Sequence, residues 1–268
     1  MADGEGQKVT VDQTCEWFSD TGARKLAAMR RSPVGFTISS MLGGAYIGIA
    51  LVLALTVSSG LPAGARPLAA GAVFGLGLLL VSFAGAELFT GSVMYAAFGL
   101  ARGKTRLPAT LAMLLWVWIG NLFGSMVLAW VFSTGGGGAI FSAPQPFLHD
   151  YVAHKVTASG GALVARASLC NWLVCLAIWV PARLKSEAAK IIALAWCLLA
   201  FVASGFEHSV ANMTLFTLAA LSPLHPIDLA GAAHNLLWVT LGNVVGGSVL
   251  VATAYLSIAR TEPRDPAL

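Results

Sequence analysis

Gly85-Ala86-Glu87-Leu88-Phe89-Thr90-Gly91 and Gly205-Phe206-Glu207-His208-Ser209-Val210-Ala211-Asn212-Met213 interrupt two long apolar stretches in the same way. Each sets an acid beside glycine where the surrounding sequence reads as membrane-buried. A charge at the bilayer centre costs roughly 2.5–3.5 kcal/mol on insertion scales, and loosened backbone survives at that depth only where it lines a cavity or is packed in protein. Two such breaks in one chain predict a pathway.

The surrounding composition agrees. Hydrophobic residues make up 57% of the 268 and charged residues 10%, against roughly 25% charged in an ordinary soluble domain. Six stretches are long and apolar enough to cross a hydrocarbon core, which takes about 20 helical residues: 34–57, 67–100, 108–133, 161–181, 188–220 and 230–258. The second and fifth are too long for single straight crossings, and each contains one break; a half-helix, a loop and a second half-helix fits both lengths. The expectation is an all-α membrane protein of six transmembrane helices in one domain, residues 33–258, between a cytoplasmic amphipathic segment (1–32) and a short cytoplasmic tail (259–268).

An internal repeat explains why the breaks come as a pair. Gly85-Ala86-Glu87 corresponds to Gly205-Phe206-Glu207, and Gly120-Asn121 with Gly124 corresponds to Gly242-Asn243 with Gly246, at offsets of 120 and 122 residues. Each half, about 33–133 and 161–258, holds three spans. An odd number forces the second half to enter the membrane inverted, an arrangement that places a binding site where the broken helices meet. The GN..G motifs read as packing: small residues four apart let helix backbones approach, and Asn hydrogen-bonds across the contact.

Lys and Arg set the orientation. Lys8, Arg24, Lys25, Arg30, Arg31, Arg102, Lys104, Arg106, Arg183, Lys185, Lys190, Arg260 and Arg264 fall on one side of the six-span arrangement, and only Arg66, Lys155 and Arg166 on the other. This bias puts both termini in the cytoplasm. It also accounts for the net charge of +4, so no nucleic-acid partner is implied. In the first segment, which lacks the apolar core of a signal peptide, Trp17, Phe18, Leu26 and Met29 are expected to face the membrane or a neighbouring subunit, with Arg24, Lys25, Arg30 and Arg31 on lipid headgroups. Cys15, Cys170, Cys175 and Cys197 show no metal or disulfide spacing, and no cofactor is implied. No HExxH or GxSxG motif supports an intramembrane enzyme, and a neutral-solute channel of the aquaporin kind would carry paired NPA motifs that this chain lacks.

Several separated motifs resemble the formate/nitrite transporter family: AGAELFTG at 84–91, LCNWLVCLA at 169–177, ASGFEHSVANM at 203–213 and the GN..G pair. The resemblance runs from Pro33 to Tyr255, and the CNWLVCLAIW, NMTLF and HNLLWVTLGN runs look most like its nitrite-conducting members. It implies an aquaporin-like fold with the second and fifth helices broken, a homo-pentamer with a pore in every subunit, and a small monovalent anion as substrate. Nitrite is the first expectation; formate or hydrosulfide is the alternative. Multi-pass residence in a bacterial inner membrane follows. Carried over by motif, Thr90 and His208 face each other at the pore centre. Phe74, Leu78, Leu88, Phe89, Val174 and Phe201 form apolar constrictions, Asn171 lies near the central His, and Lys155 has Glu207 as polar partner.

The central pair makes chemical sense without the family. An anion moved unpaired into a dry medium faces tens of kcal/mol by Born estimates, so an apolar pore needs donors or a proton, and an imidazole can supply both. Thr90 would add a hydroxyl, and Lys155 would draw anions to the mouth. Glu87 and Glu207 are expected either to brace their loops by accepting backbone N–H bonds or to touch the substrate; Glu207 is placed in the substrate pathway with Thr90, His208, Asn171 and Lys155, and Glu87 with Gly91, Asn121, Asn212 and Asn243 as structural residues of the breaks.

Overall fold

The computed structural model describes residues 9–142, 147–222 and 227–261, and all regular structure among them is helical. Lys8, His225, Arg264 and the tail from 262 onward lie outside the described residues.

The chain opens with α1 (Val11–Arg31), capped by a reciprocal Thr10–Gln13 box. Pro33, which lacks the N–H a continuing helix would need, starts α2 (Pro33–Ser59) after the single residue Ser32. Then come α3 (Arg66–Leu79), running into a π-helical turn at Leu80–Gly85, and α4 (Phe89–Ala101). Next is α5 (Leu107–Thr134), followed by the short α6 (Gly138–Phe141) and α7 (Phe147–Val156). The second half runs α8 (Gly160–Ala182), α9 (Glu187–Ala203), α10 (Ser209–Leu221) and α11 (Leu229–Val245). It ends in a π-helical stretch, Gly246–Thr253, that leads to α12 (Ala254–Ala259).

Five continuous helical stretches among the described residues are long and apolar enough to cross a membrane: 33–59, 66–85, 107–134, 160–182 and 229–259. The expected stretches 67–100 and 188–220 are each divided, the latter into α9 and α10 of 17 and 13 residues. Both divisions begin at a glycine with left-handed backbone, Gly85 at φ 87° and Gly205 at φ 69°, a conformation L side chains seldom adopt. Extended residues follow, Ala86 and Leu88 in the first break and His208 in the second, before a new helix starts.

Close approach of α2 to α5 positions the first break. A Cβ added at Gly44 would lie 2.7 Å from the backbone carbonyl carbon of Asn121, and one added at Gly124 would meet the carbonyl of Met41. Because backbone cannot yield as a flexible side chain can, Gly44→Ala should lower stability by about 1–3 kcal/mol, read as a lower thermal midpoint in detergent. Gly60→Ala, with open space around the added carbon, should melt within experimental error of wild type; equal midpoints for the two variants would refute the packing argument.

The N-terminal segment departs from expectation. Helix α1 is present, but it packs on its own chain: Phe18 and Leu26 are buried, and the Phe18 ring lies 5.1–5.6 Å from those of Tyr95, Phe98 and Trp179. Arg102 pairs with Asp12, and Lys104 with Glu16 and Asp20. Arg183 donates to the Thr10 carbonyl at 3.0 Å and to Thr14 Oγ1 at 2.9 Å. A face that reads as lipid-seeking in isolation finds a better apolar partner in the aromatic side chains of α4 and α8, so only Trp17 stays half-exposed.

Candidate functional site

The two breaks meet. Thr90, in the first turn of α4, places its hydroxyl 3.2 Å from Nε2 of His208, the residue that caps α10. Both are buried. The His208 ring is held from its other side, because Nδ1 accepts the backbone N–H of Ala211 at 3.1 Å. A nitrogen that accepts cannot carry a hydrogen, so the neutral imidazole has its proton on Nε2, directed at Thr90 Oγ1. The Thr90 O–H then remains available as a donor.

Apolar rings close the site. Phe201 stacks on His208 with centroids 6.0 Å apart, and Phe74 meets Phe201 edge-on at 5.6 Å. These three, with Lys155 and Asn212, are among the residues lining a cavity of about 530 Å³ whose wall also includes Arg66 of α3 and Phe147 of α7. Leu78, Leu88, Phe89 and Val174 are buried in the same apolar core. Asn171 lies behind Thr90: its amide donates to the Thr90 carbonyl at 3.1 Å and to that of Asn243 at 2.6 Å. It therefore holds the backbone of the Thr90 turn, and it does not line the cavity. Gly91 is buried, with room for an added Cβ limited by Ile178.

Each loop is tied by an asparagine from the following helix, with matching bonds. Asn121 accepts the Phe89 N–H at 2.9 Å and donates to the carbonyls of Ser40 and Glu87 at 2.6 and 2.8 Å. Asn243 accepts the Ser209 N–H at 3.0 Å and donates to those of Ala167 and Glu207 at 2.9 and 3.1 Å. The GN..G motifs thus pack helices and also satisfy the backbone groups that a broken helix leaves orphaned.

Neither acid braces its loop as expected: neither Glu87 nor Glu207 receives a backbone N–H on its carboxylate among the described contacts, and each faces a lysine, which for Glu207 is the Lys155 that the resemblance implies. Lys155 Nζ lies 2.8 Å from Glu207 Oε2, which also accepts from Asn212 at 2.7 Å. Lys25 Nζ lies 2.8 and 2.6 Å from the two oxygens of Glu87, with Ser92 at 3.3 Å. Lys25 consequently turns inward, away from the lipid headgroups expected for it. The reason is energetic: a carboxylate among apolar helices needs a full opposite charge, and backbone N–H groups of the breaks are already taken, those of Phe89 and Ser209 by the asparagines, that of Ala211 by His208, and those of Glu87 and Glu207 by the carbonyls of Ser39 and Arg166. At Lys155 burial works against the ammonium, but the Glu207 carboxylate outweighs it and holds the lysine pKa above its ordinary value.

Sequence reading missed Lys25, Ser92 and Asn235. Asn235 accepts from Asn212 at 2.8 Å and donates to the Lys155 carbonyl at 3.0 Å. Ser92 was findable, since it stands 120 residues before Asn212, the same offset as the two acids. Lys25 was not, because it stands 130 residues before Lys155, on a helix outside the matched motifs.

Residues 12–257 match the profile of the formate/nitrite transporter family. The nitrite transporter NirC of Escherichia coli (strain K12) is 45% identical over 246 residues, spanning 89% of this chain and 91% of that protein. Among solved structures, one described as an FNT family ion channel superposes with a TM-score of 0.87 at 43% identity, covering 91% of this chain and 98% of that one. A pentameric formate channel with formate bound superposes with a TM-score of 0.72 at 28% identity, covering 86% and 98%. A chain matched over nearly its whole length in sequence and in fold, with five helical stretches among its described residues suited to a membrane, is a multi-pass membrane transport protein and belongs to the formate/nitrite transporter family.

Proposed function

We propose that this protein is a nitrite channel of the bacterial inner membrane. It crosses the bilayer six times as an inverted repeat of three plus three helices, with the second and fifth spans broken and both termini in the cytoplasm. Residues 33–258 form the channel unit, 1–32 a cytoplasmic amphipathic segment, and 259–268 a cytoplasmic tail. Five copies assemble, each with its own pore. Nitrite is favoured over formate by the 45% identity to a nitrite transporter, against 37% to a probable formate transporter and 28% to the formate-bound channel. The pentamer is drawn from the formate-bound channel.

One observation carries the proposal: the contact between Thr90 and His208, which joins the two breaks at a buried polar point inside a collar of Phe74 and Phe201. An anion arriving there accepts the Thr90 hydroxyl and the His208 Nε2–H, donors that replace part of its lost hydration. The rings exclude water and admit one small ion at a time. Putting a proton on Nδ1 would set two hydrogens against each other and break the bond to Ala211. His208 therefore acts as a fixed neutral donor, and handing its own proton to the anion would require that bond to open first.

Nitrite flux into proteoliposomes tests this. His208→Asn keeps a helix-capping side chain but moves the donor, and should lower flux by about ten-fold, the equivalent of one hydrogen bond. The ratio of wild-type to variant flux should stay constant between about pH 6 and 8, where an imidazole titrates. Unchanged flux would remove His208 from the pathway; a ratio that moves with pH would assign it proton transfer.

A further inference from the structure

The outer cavity holds a cation whose charge is not spent. Lys155, the lysine expected to attract anions, is neutralised by Glu207 at 2.8 Å. Arg66, at the start of α3, lines the same cavity and forms no ion pair among the described residues. Two contacts fix its guanidinium: Nε donates to the Leu61 carbonyl at 2.8 Å, and the Phe147 ring lies 4.7 Å from the central carbon. With Nε engaged and one face covered, the edge bearing the two terminal nitrogens is left to interact. That edge presents two parallel N–H groups, a fork matched to an anion with two oxygens on one atom.

We infer that Arg66 forms an anion-capture site at the entrance of the outer cavity, selective for bent two-oxygen monoanions such as nitrite and formate over single-atom acceptors such as hydrosulfide or chloride. The inference rests on the anion-channel reading above for its place in transport, and on the geometry of Arg66 alone for binding. A stacked, half-buried guanidinium is rigid, so little freedom is lost when the anion docks. Two further charged groups line the cavity: Lys155, already paired with Glu207, and Asp150, which forms no ion pair with Arg66 among the described residues and opposes capture, so that its removal should strengthen binding. From this entrance the same cavity leads to Phe74, Phe201 and His208.

Binding is measured on the purified full chain in detergent, by NMR line broadening of isotope-labelled formate and nitrite, beside flux in proteoliposomes. Arg66→Gln should weaken saturable binding of both anions by about ten-fold, the value of a charge-assisted bidentate contact at a half-exposed site. It should raise the half-saturating nitrite concentration to match, with maximal flux within about two-fold of wild type, since a capture step adds affinity at the mouth and does not touch the central barrier. Arg66→Lys, which keeps the charge and loses the fork, should leave nitrite binding weakened and narrow the preference for nitrite over hydrosulfide. Asp150→Asn should shift the binding midpoint the other way. Saturable binding that Arg66→Gln leaves unchanged, or no saturable binding by wild type, would overturn the site; full rescue of nitrite binding by lysine would overturn the fork. Wild-type protein that binds formate through Arg66 yet passes no nitrite would sink the transport reading and leave this one standing.

Discussion

Lys155→Ala should destabilise the protein by roughly 3–5 kcal/mol, the cost of leaving one member of a buried ion pair without its partner. The Glu207 side chain is 3% exposed and its Oε2 takes both the Lys155 ammonium and the Asn212 amide. Once the lysine is gone, one amide faces a full negative charge in an apolar surround. The thermal midpoint in detergent should fall sharply, and flux with it. Lys155→Met combined with Glu207→Gln removes both charges and should recover most of the loss, because the neutral amide still accepts from Asn212. Lys25→Ala is the internal comparison: its pair with Glu87 is 18% and 14% exposed, water screens the orphaned charge better, and the loss should be smaller. A Lys155→Ala protein with a wild-type midpoint and only a raised half-saturating concentration would contradict this, and would restore the simpler picture of a lysine that attracts anions.

The second large effect is expected from Asn243→Ala. Two buried backbone groups of the break lose their partner, the Ser209 N–H and the Glu207 carbonyl, while the Ala167 carbonyl inside α8 loses a second donor. At about 1–3 kcal/mol for each unsatisfied group, the total reaches at least about 2 kcal/mol unless water enters the space. The damage has a direction, since Ser209 adjoins His208 and begins α10. Its release lets the capping imidazole drift from Thr90, and nitrite flux should drop by more than the folded fraction does. Asn243→Asp should be worse still, because it turns a donor to two carbonyls into a repelling oxygen. Asn121→Ala repeats the test at the first break. If melting and flux of these variants matched wild type, the asparagine clamps would have to be dropped from the account.

Much of this was legible in the sequence because it follows from local chemistry. Gly85 and Gly205 next to Glu87 and Glu207 mark where helices must stop, since left-handed backbone and a charge both resist a continuous apolar helix. The repeat of GN..G after each break points to Asn121 and Asn243. The partners of these groups were harder to find. Both acids were expected to take backbone N–H groups; Glu207 instead holds the Lys155 that the resemblance implies, and Glu87 holds Lys25, which no motif paired with it. Phe18 and Leu26 read as a lipid-facing stripe, yet they dock on Tyr95, Phe98 and Trp179, residues on helices remote in sequence.

What the sequence by itself determined is the pair of interrupted apolar stretches, their acids and their glycines. Only the tertiary structure decided that Lys25 faces Glu87, that the His208 ring is fixed through Nδ1 with Nε2 turned to Thr90, and that Arg66 has no ion-pair partner among the described residues while Lys155 has one. The division has a physical cause. Helix stops depend on backbone conformation and residues a few positions apart, whereas charge pairing and hydrogen-bond tautomers depend on which side chains the packing brings within 3 or so Å of one another, across 52 positions for Lys155 and Glu207 and 118 for Thr90 and His208.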